Sequence, residues 1–327
     1  MKNRLIWADA LKGLLIILVV LGHAVQYVVG GVDNGSHLFA YIYSFHMPAF
    51  FAVSGWFAGE ASKKKLVRRM RQLLVPYGIW TIIFILFNEK LNINSFVQIV
   101  ITPDRCYWFL WALFWINGIF IITQMVASLF RWNEMRTLAE VSVALVAIMA
   151  VGNIRVLGVQ FISYYFVFYF MGYCFRHLAL KPLHGKKTLL AFTVVWAFLG
   201  WYWQMSHVPS IMKWVTFLPS SLVIQGYRFV TAFLALSVIL SVVPKYLDKD
   251  TCVTRLLVRF GYISLGIYTF HILITNSVIS LIRQIIPNIG NNLLIFASFL
   301  LLTVVSLLCV SLISKHKVLA KYLYGKV

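Results

Sequence analysis

Eight consecutive apolar side chains, Leu14 to Leu21, lie within a run that continues with few polar breaks from residue 9 to residue 30. A helix that crosses the hydrocarbon core of a bilayer needs about 20 such residues. Lipid offers no partner to an open backbone, so a run of this kind must fold as a helix that satisfies its own N–H and C=O groups. Comparable spans recur at roughly 9–30, 38–59, 73–89, 108–128, 138–152, 161–178, 188–204, 220–243, 260–282 and 293–313. The fifth and seventh are short. Hydrophobic residues make up 61% of the 327 and charged residues 12%, against about 25% charged in a soluble domain. A water-soluble enzyme, a disordered chain and a collagen-like chain are thereby excluded. The expected fold class is all-α: a polytopic membrane protein with about ten transmembrane helices, forming a single transmembrane domain over 1–327. The basic start, Met1 to Arg4, followed by an apolar stretch could pass for a signal peptide. That stretch reaches Val29, contains Lys12 and His23, and shows no small-x-small cleavage site, so a retained first helix is expected.

Charge sets the expected orientation. The chain carries 29 Lys and Arg against 9 Asp and Glu, a formal net charge of +20. With the N-terminus inside, 23 of the 29 fall in the segments on that side, among them Lys2, Arg4, Lys12, Lys63 to Lys65, Arg68, Arg69, Arg71 and Lys181. Such a bias places both termini in the cytoplasm and the protein in a cytoplasmic (inner) cell membrane. It also accounts for the positive balance without nucleic acid. The clusters Tyr107-Trp108-Phe109 and Trp201-Tyr202-Trp203 fall at span ends, where interfacial aromatic belts sit. Cys106, Cys174, Cys252 and Cys309 are scattered, with no C-x-x-C pair, so neither a disulfide framework nor a metal site is expected.

Ionisable groups inside a membrane span are functional candidates by default. The first span carries Asp9, Lys12 and His23 on one stripe of the helix, because spacings of eleven and fourteen residues return to nearly the same face. Lys12 lies about 16 Å below His23 by helical rise. For Asp9 and Lys12 an anchoring i,i+3 ion pair is the plainer reading. For His23 it is a hydrogen bond to another helix. Gly22 permits a close approach beside it. The second span holds His46, then Pro48, which is expected to kink the helix, then Ser54-Gly55. His46 and His23 both fall in the outer halves of their spans and could share a site. The basic run Lys63, Lys64, Lys65, Arg68, Arg69 is either topogenic charge attracted to anionic lipid or a clamp for phosphates. His271 is a weaker candidate, with a structural interhelical bond as its alternative. His177, His184 and His316 read as solvated.

These residues carry a resemblance. Asp9-Ala-Leu-Lys12-Gly13 with His23 eleven residues after Lys12, Phe45-His46-Met47-Pro48 and Ser54-Gly55-Trp56-Phe57 are together similar to the first two helices of the acyltransferase 3 family. The chain resembles most the branch described as fucose 4-O-acetylase-like. Leu73-Leu74-Val75-Pro76-Tyr77, Trp108-Phe109-Leu110 and the segment from Gly261 through Ser264 and Tyr268 to His271 extend the likeness in order along the chain. Lys12 stands where many members have Arg, and Gln72 where many have a basic residue. The resemblance implies transfer of an acetyl group from acetyl-CoA to a hydroxyl of an extracytoplasmic glycan or glycolipid, with no permanently bound cofactor. On that reading Lys12, Lys63, Lys64, Lys65, Arg68 and Arg69 hold the phosphates of the CoA donor. His23 acts as general base or acyl carrier, His46 is a second catalytic candidate, and Asp9, Ser54 and His271 support them. Succinyl transfer and a transporter or flippase of glycan precursors are the alternatives.

Overall fold

The structure, a computed structural model, describes residues 5–32, 35–88, 97–99, 101–103, 106–151, 154–178 and 185–325. Lys2, Arg4, Lys181 and His184, read above as cytoplasmic, lie outside them. The described residues are overwhelmingly helical and contain no strand. The helices are α1 (Ile6–Val29), α2 (His37–Trp56), α3 (Lys63–Arg69), α4 (Val75–Asn88), α5 (Trp108–Leu129), α6 (Glu134–Val151) and α7 (Val159–His177), followed by α8 (Lys186–Trp201), α9 (Ser220–Leu247), α10 (Cys252–Tyr262), α11 (Ser264–Ile285), α12 (Asn291–Ser314) and α13 (Lys317–Tyr324). All ten spans read from the sequence contain helix. Among the described residues, eight helical stretches are both long and apolar enough to cross a membrane. The other two are those that read as short. α6 begins with Glu134 and includes Arg136 and Glu140, and α8 has 16 residues.

Two boundaries differ from the sequence reading. The basic run is itself helical: α3 continues through a π-helical turn, Met70–Leu74, into α4. Lys and Arg are good helix formers, and Ser62 caps the start by accepting from the Lys65 N–H at 3.2 Å. The ninth span is broken. α10 ends at Tyr262, Ile263 leaves helical geometry, and α11 starts at Ser264, whose hydroxyl bonds back to the Gly261 carbonyl at 2.9 Å. α2 contains Pro48 within a continuous helix.

The chain divides into two compact units, each drawn from two separate stretches of the sequence. Unit 1 comprises residues 1–50 and 180–308. Its centre is α1, which packs most extensively on α10 and then on α11 and α9, while α8 lies on α9. The α1–α10 crossing is a backbone contact. A Cβ on Gly13 would fall on the Leu257 carbonyl, and one on Gly261 would fall on the Asp9 carbonyl. Small residues of this kind let membrane helices approach until dispersion forces hold them. α1 ends where Gly30 adopts φ 88° and returns its N–H to Gln26.

Unit 2 comprises residues 51–179 and 309–327. α6 packs on α7, α5 on both, α3 on α5, and the C-terminal α13 on α4. Its interior is aromatic: Phe51 stacks on Tyr165 at 4.5 Å between centroids and Trp108 on Phe161 at 4.5 Å. Trp80 ties α4 to α13 through a 2.9 Å bond from Nε1 to the Leu323 carbonyl. The Ser54-Gly55 motif has a packing task here. A Cβ on Gly55 would fall on the Tyr169 carbonyl, and one on Gly172 on the Ala52 carbonyl, so α2 and α7 touch backbone to backbone.

Candidate active site

In unit 1, α1 presents Asp9, Lys12 and His23 as the sequence requires. Lys12 Nζ lies 3.6 Å from Asp9 Oδ1, the expected i,i+3 pair. Asp9 is buried at the α1–α10 crossing, and Lys12 keeps part of its surface open. His23 sits less than two turns from the C-terminal end of its helix, beside Gly22, where a Cβ would approach Tyr43 Cε2 to 2.8 Å. The glycine therefore admits the Tyr43 ring of α2 against α1. Tyr43 in turn donates its hydroxyl to Gln26 Oε1 at 2.8 Å and stacks on Phe39 at 3.8 Å.

The partner of His23 comes from the other end of the chain. His271 Nε2 lies 3.0 Å from His23 Nδ1. His271 Nδ1 lies 2.8 Å from the Ile267 carbonyl one turn below. A carbonyl oxygen only accepts, so His271 Nδ1 carries a proton. Neutral His271 then offers a lone pair at Nε2, and His23 must donate from Nδ1. The consequence is that His23 Nε2 is left unprotonated, with its lone pair available. His271 is completely buried, whereas His23 is only partly so. The partly exposed ring is thus the one whose tautomer is set by a fully buried ring.

His46 is anchored in the same way, its Nδ1 donating to the Ile42 carbonyl at 2.7 Å. It is 2% exposed. Tyr43 neighbours both of the first two histidines, at 4.7 Å from the His46 ring and 6.5 Å from the His23 ring. His271, the weaker candidate from sequence, is the one hydrogen-bonded to His23. That pairing has no signature in sequence, because 248 residues separate the two.

In unit 2 the basic run divides by environment. Lys63, Lys64 and Arg68 are exposed. Lys65 turns back on the preceding loop, donating to the Gly59 carbonyl at 2.6 Å. Arg69 points inward. One of its terminal nitrogens donates to Gln72 Oε1 at 3.4 Å, and its Nε is buried with no hydrogen-bond partner among the described residues. The buried Tyr169 hydroxyl donates to Asn117 Oδ1 at 2.9 Å, which fixes the wall of this interior. A buried guanidinium edge without an acceptor is costly. It is the kind of group that an anionic ligand satisfies. Ser54 lies in the α2 segment that packs on α7, and His177 stacks on Tyr173 at 4.0 Å.

A profile of the acyltransferase domain family matches residues 5–314. The chain belongs to this acyltransferase 3 family. Two relatives, both called nodulation protein NolL, are similar over part of their length. That of Mesorhizobium japonicum is 29% identical over 225 residues, covering 61% of this chain and 57% of its own. That of Sinorhizobium fredii is 31% identical over 229 residues, covering 61% and 58%. The chain therefore spans rather more than half the length of these curated relatives. No solved structure matches it.

Proposed function

We propose that this protein is a membrane O-acyltransferase that moves an acetyl group from acetyl-CoA to a hydroxyl of an extracytoplasmic glycan or glycolipid. The family membership and the polytopic helical fold support acyl transfer at a membrane. The observation that carries the reading is the His23–His271 pair, because it leaves a lone pair on Nε2 of a partly buried imidazole. In the reaction, His23 Nε2 takes the proton of the acceptor hydroxyl as its oxygen attacks the thioester carbonyl. The C–O bond forms, and collapse of the tetrahedral intermediate breaks the C–S bond. The leaving thiolate receives the proton from His23, releasing CoA and the O-acetyl ester. While His23 is protonated, His271 Nε2 holds its Nδ1–H and keeps the ring aligned.

Donor recognition falls to the basic residues. Lys12, Lys63, Lys64, Lys65, Arg68 and Arg69 are the phosphate ligands in this reading, with Arg69 the best supported by its unsatisfied Nε. Asp9 orients Lys12, and His46 stands in reserve as a second imidazole. The charge bias along the chain supports a cytoplasmic donor, cytoplasmic termini and an inner cell membrane. The test is transfer of labelled acetyl from acetyl-CoA to surface glycan by purified protein in nanodiscs. His23→Ala should lower transfer by about a hundredfold or more while the protein inserts and melts normally. Transfer near the wild-type rate by that variant removes the catalytic role.

A further inference from the structure

One turn beyond His23 along α1, an open polar cleft of about 380 Å³ between α1 and α11 is lined by Tyr27, Asn276, Ile279, Ser280, Arg283 and Gln284. Two contacts join the helices along this stretch. At one end His23 meets His271 at 3.0 Å. At the other, Arg283 donates to the Val28 carbonyl at 3.4 Å. Between these contacts α1 advances five residues, about 7.5 Å, and α11 twelve, about 18 Å. The long arginine side chain reaches back across this difference, and Arg283 also lines the cleft.

Its lining does not suit lipid. Asn276, Ser280 and Gln284 fall at i, i+4 and i+8, one face of a helix otherwise apolar enough to cross a membrane, and all three are exposed. Asn276 lies about 13 Å before the end of α11, deeper than the headgroup layer of about 5–8 Å. Polar side chains at such depth face water or a polar ligand. The set offers two amides, a hydroxyl and a guanidinium, which both donate and accept. No acidic side chain is present, so the lining favours a neutral or anionic ligand over a cationic one. Tyr27, which lines the cleft, is one turn from His23, with its ring 6.2 Å from the imidazole and edge-on to it.

We infer that this cleft is the acceptor subsite, holding a sugar unit by its hydroxyls and delivering one of them to His23 Nε2. The inference rests on the acyl-transfer reading above. It is tested with membranes from cells that make the protein, their own surface glycan as acceptor and [14C]acetyl-CoA as donor. Ser280→Cys protein is allowed to fold and is then treated on intact cells with a membrane-impermeant methanethiosulfonate. The cleft assignment expects the thiol to react, and glycan labelling to fall at least tenfold with CoA affinity unchanged. Ser277→Cys, one position off the polar face, should keep its labelling under the same treatment. An unreactive thiol at 280, or labelling within twofold of the untreated protein, overturns the assignment. A parallel loss of CoA affinity overturns it as well. His23→Ala run alongside separates the two ideas: if that variant transfers normally the enzymatic reading falls, whereas an inert His23→Ala with an indifferent Ser280→Cys removes the cleft alone.

Discussion

At the scale of single residues, the proposed chemistry depends on which nitrogen carries a proton. The Ile267 carbonyl fixes His271, and His271 fixes His23. A side chain that still accepts a hydrogen bond should therefore preserve part of the arrangement. His271→Ala is expected to lower kcat for acetyl transfer by about ten- to a hundredfold with little change in KM for acetyl-CoA. His271→Gln, whose amide oxygen can receive the His23 Nδ1–H, should recover a measurable share of the loss. Equal inactivity of both variants would reduce His271 to a packing residue. Arg69 makes the second residue-scale case. Arg69→Ala should weaken CoA binding about ten- to a hundredfold, as expected for one charge-assisted hydrogen bond. Arg71→Ala, at an exposed position of the same stretch, should leave calorimetric affinity unchanged. The stripe of Asp9, Lys12 and His23 was legible from helical periodicity alone. The inward turn of Arg69 and the backward turn of Lys65 were not, since identical charges adjacent in sequence part company only when neighbouring helices define an inside.

At the scale of elements, the motifs that looked chemical often prove to be contacts between backbones. Gly13 lies in the same short motif as Asp9 and Lys12, and its place is the α1–α10 crossing. Gly55 beside Ser54 serves the α2–α7 crossing in the same manner. Gly13→Leu should force α10 away from α1 and lower stability by about 1–3 kcal/mol, read as a fall in the midpoint of thermal unfolding in detergent. Gly226→Ala is the control, because a Cβ there meets nothing within 4 Å, and alanine is the better helix former. A melt of Gly13→Leu matching wild type would mean that the crossing tolerates side-chain volume. The break between α10 and α11 belongs to this scale as well. Hydropathy read one span at 260–282, because the break at Ile263 is made by backbone geometry in a segment that stays largely apolar. The sequence shows the amphipathic character of α10 only once its bounds are known.

For the whole molecule, the distribution of Lys and Arg predicts which surfaces face the cytoplasm. Cysteine at position 64 should resist an impermeant maleimide on intact cells, and cysteine at position 213 should react. The opposite labelling pattern would invert the orientation and with it the side from which the donor comes. The number and position of apolar runs determined that this chain is helical and crosses a membrane, because lipid leaves the backbone no other way to satisfy its hydrogen bonds. Periodicity within one run likewise determined that an aspartate, a lysine and a histidine share a face. Everything that joins distant parts of the chain was decided by tertiary structure: the contact of His23 with His271, the polar cleft between α1 and α11, and the assembly of each compact unit from two separate stretches of the sequence. Helices in a bilayer find one another through close backbone approach and a few polar contacts rather than through hydrophobicity, and a pattern of apolar residues holds no record of those partners.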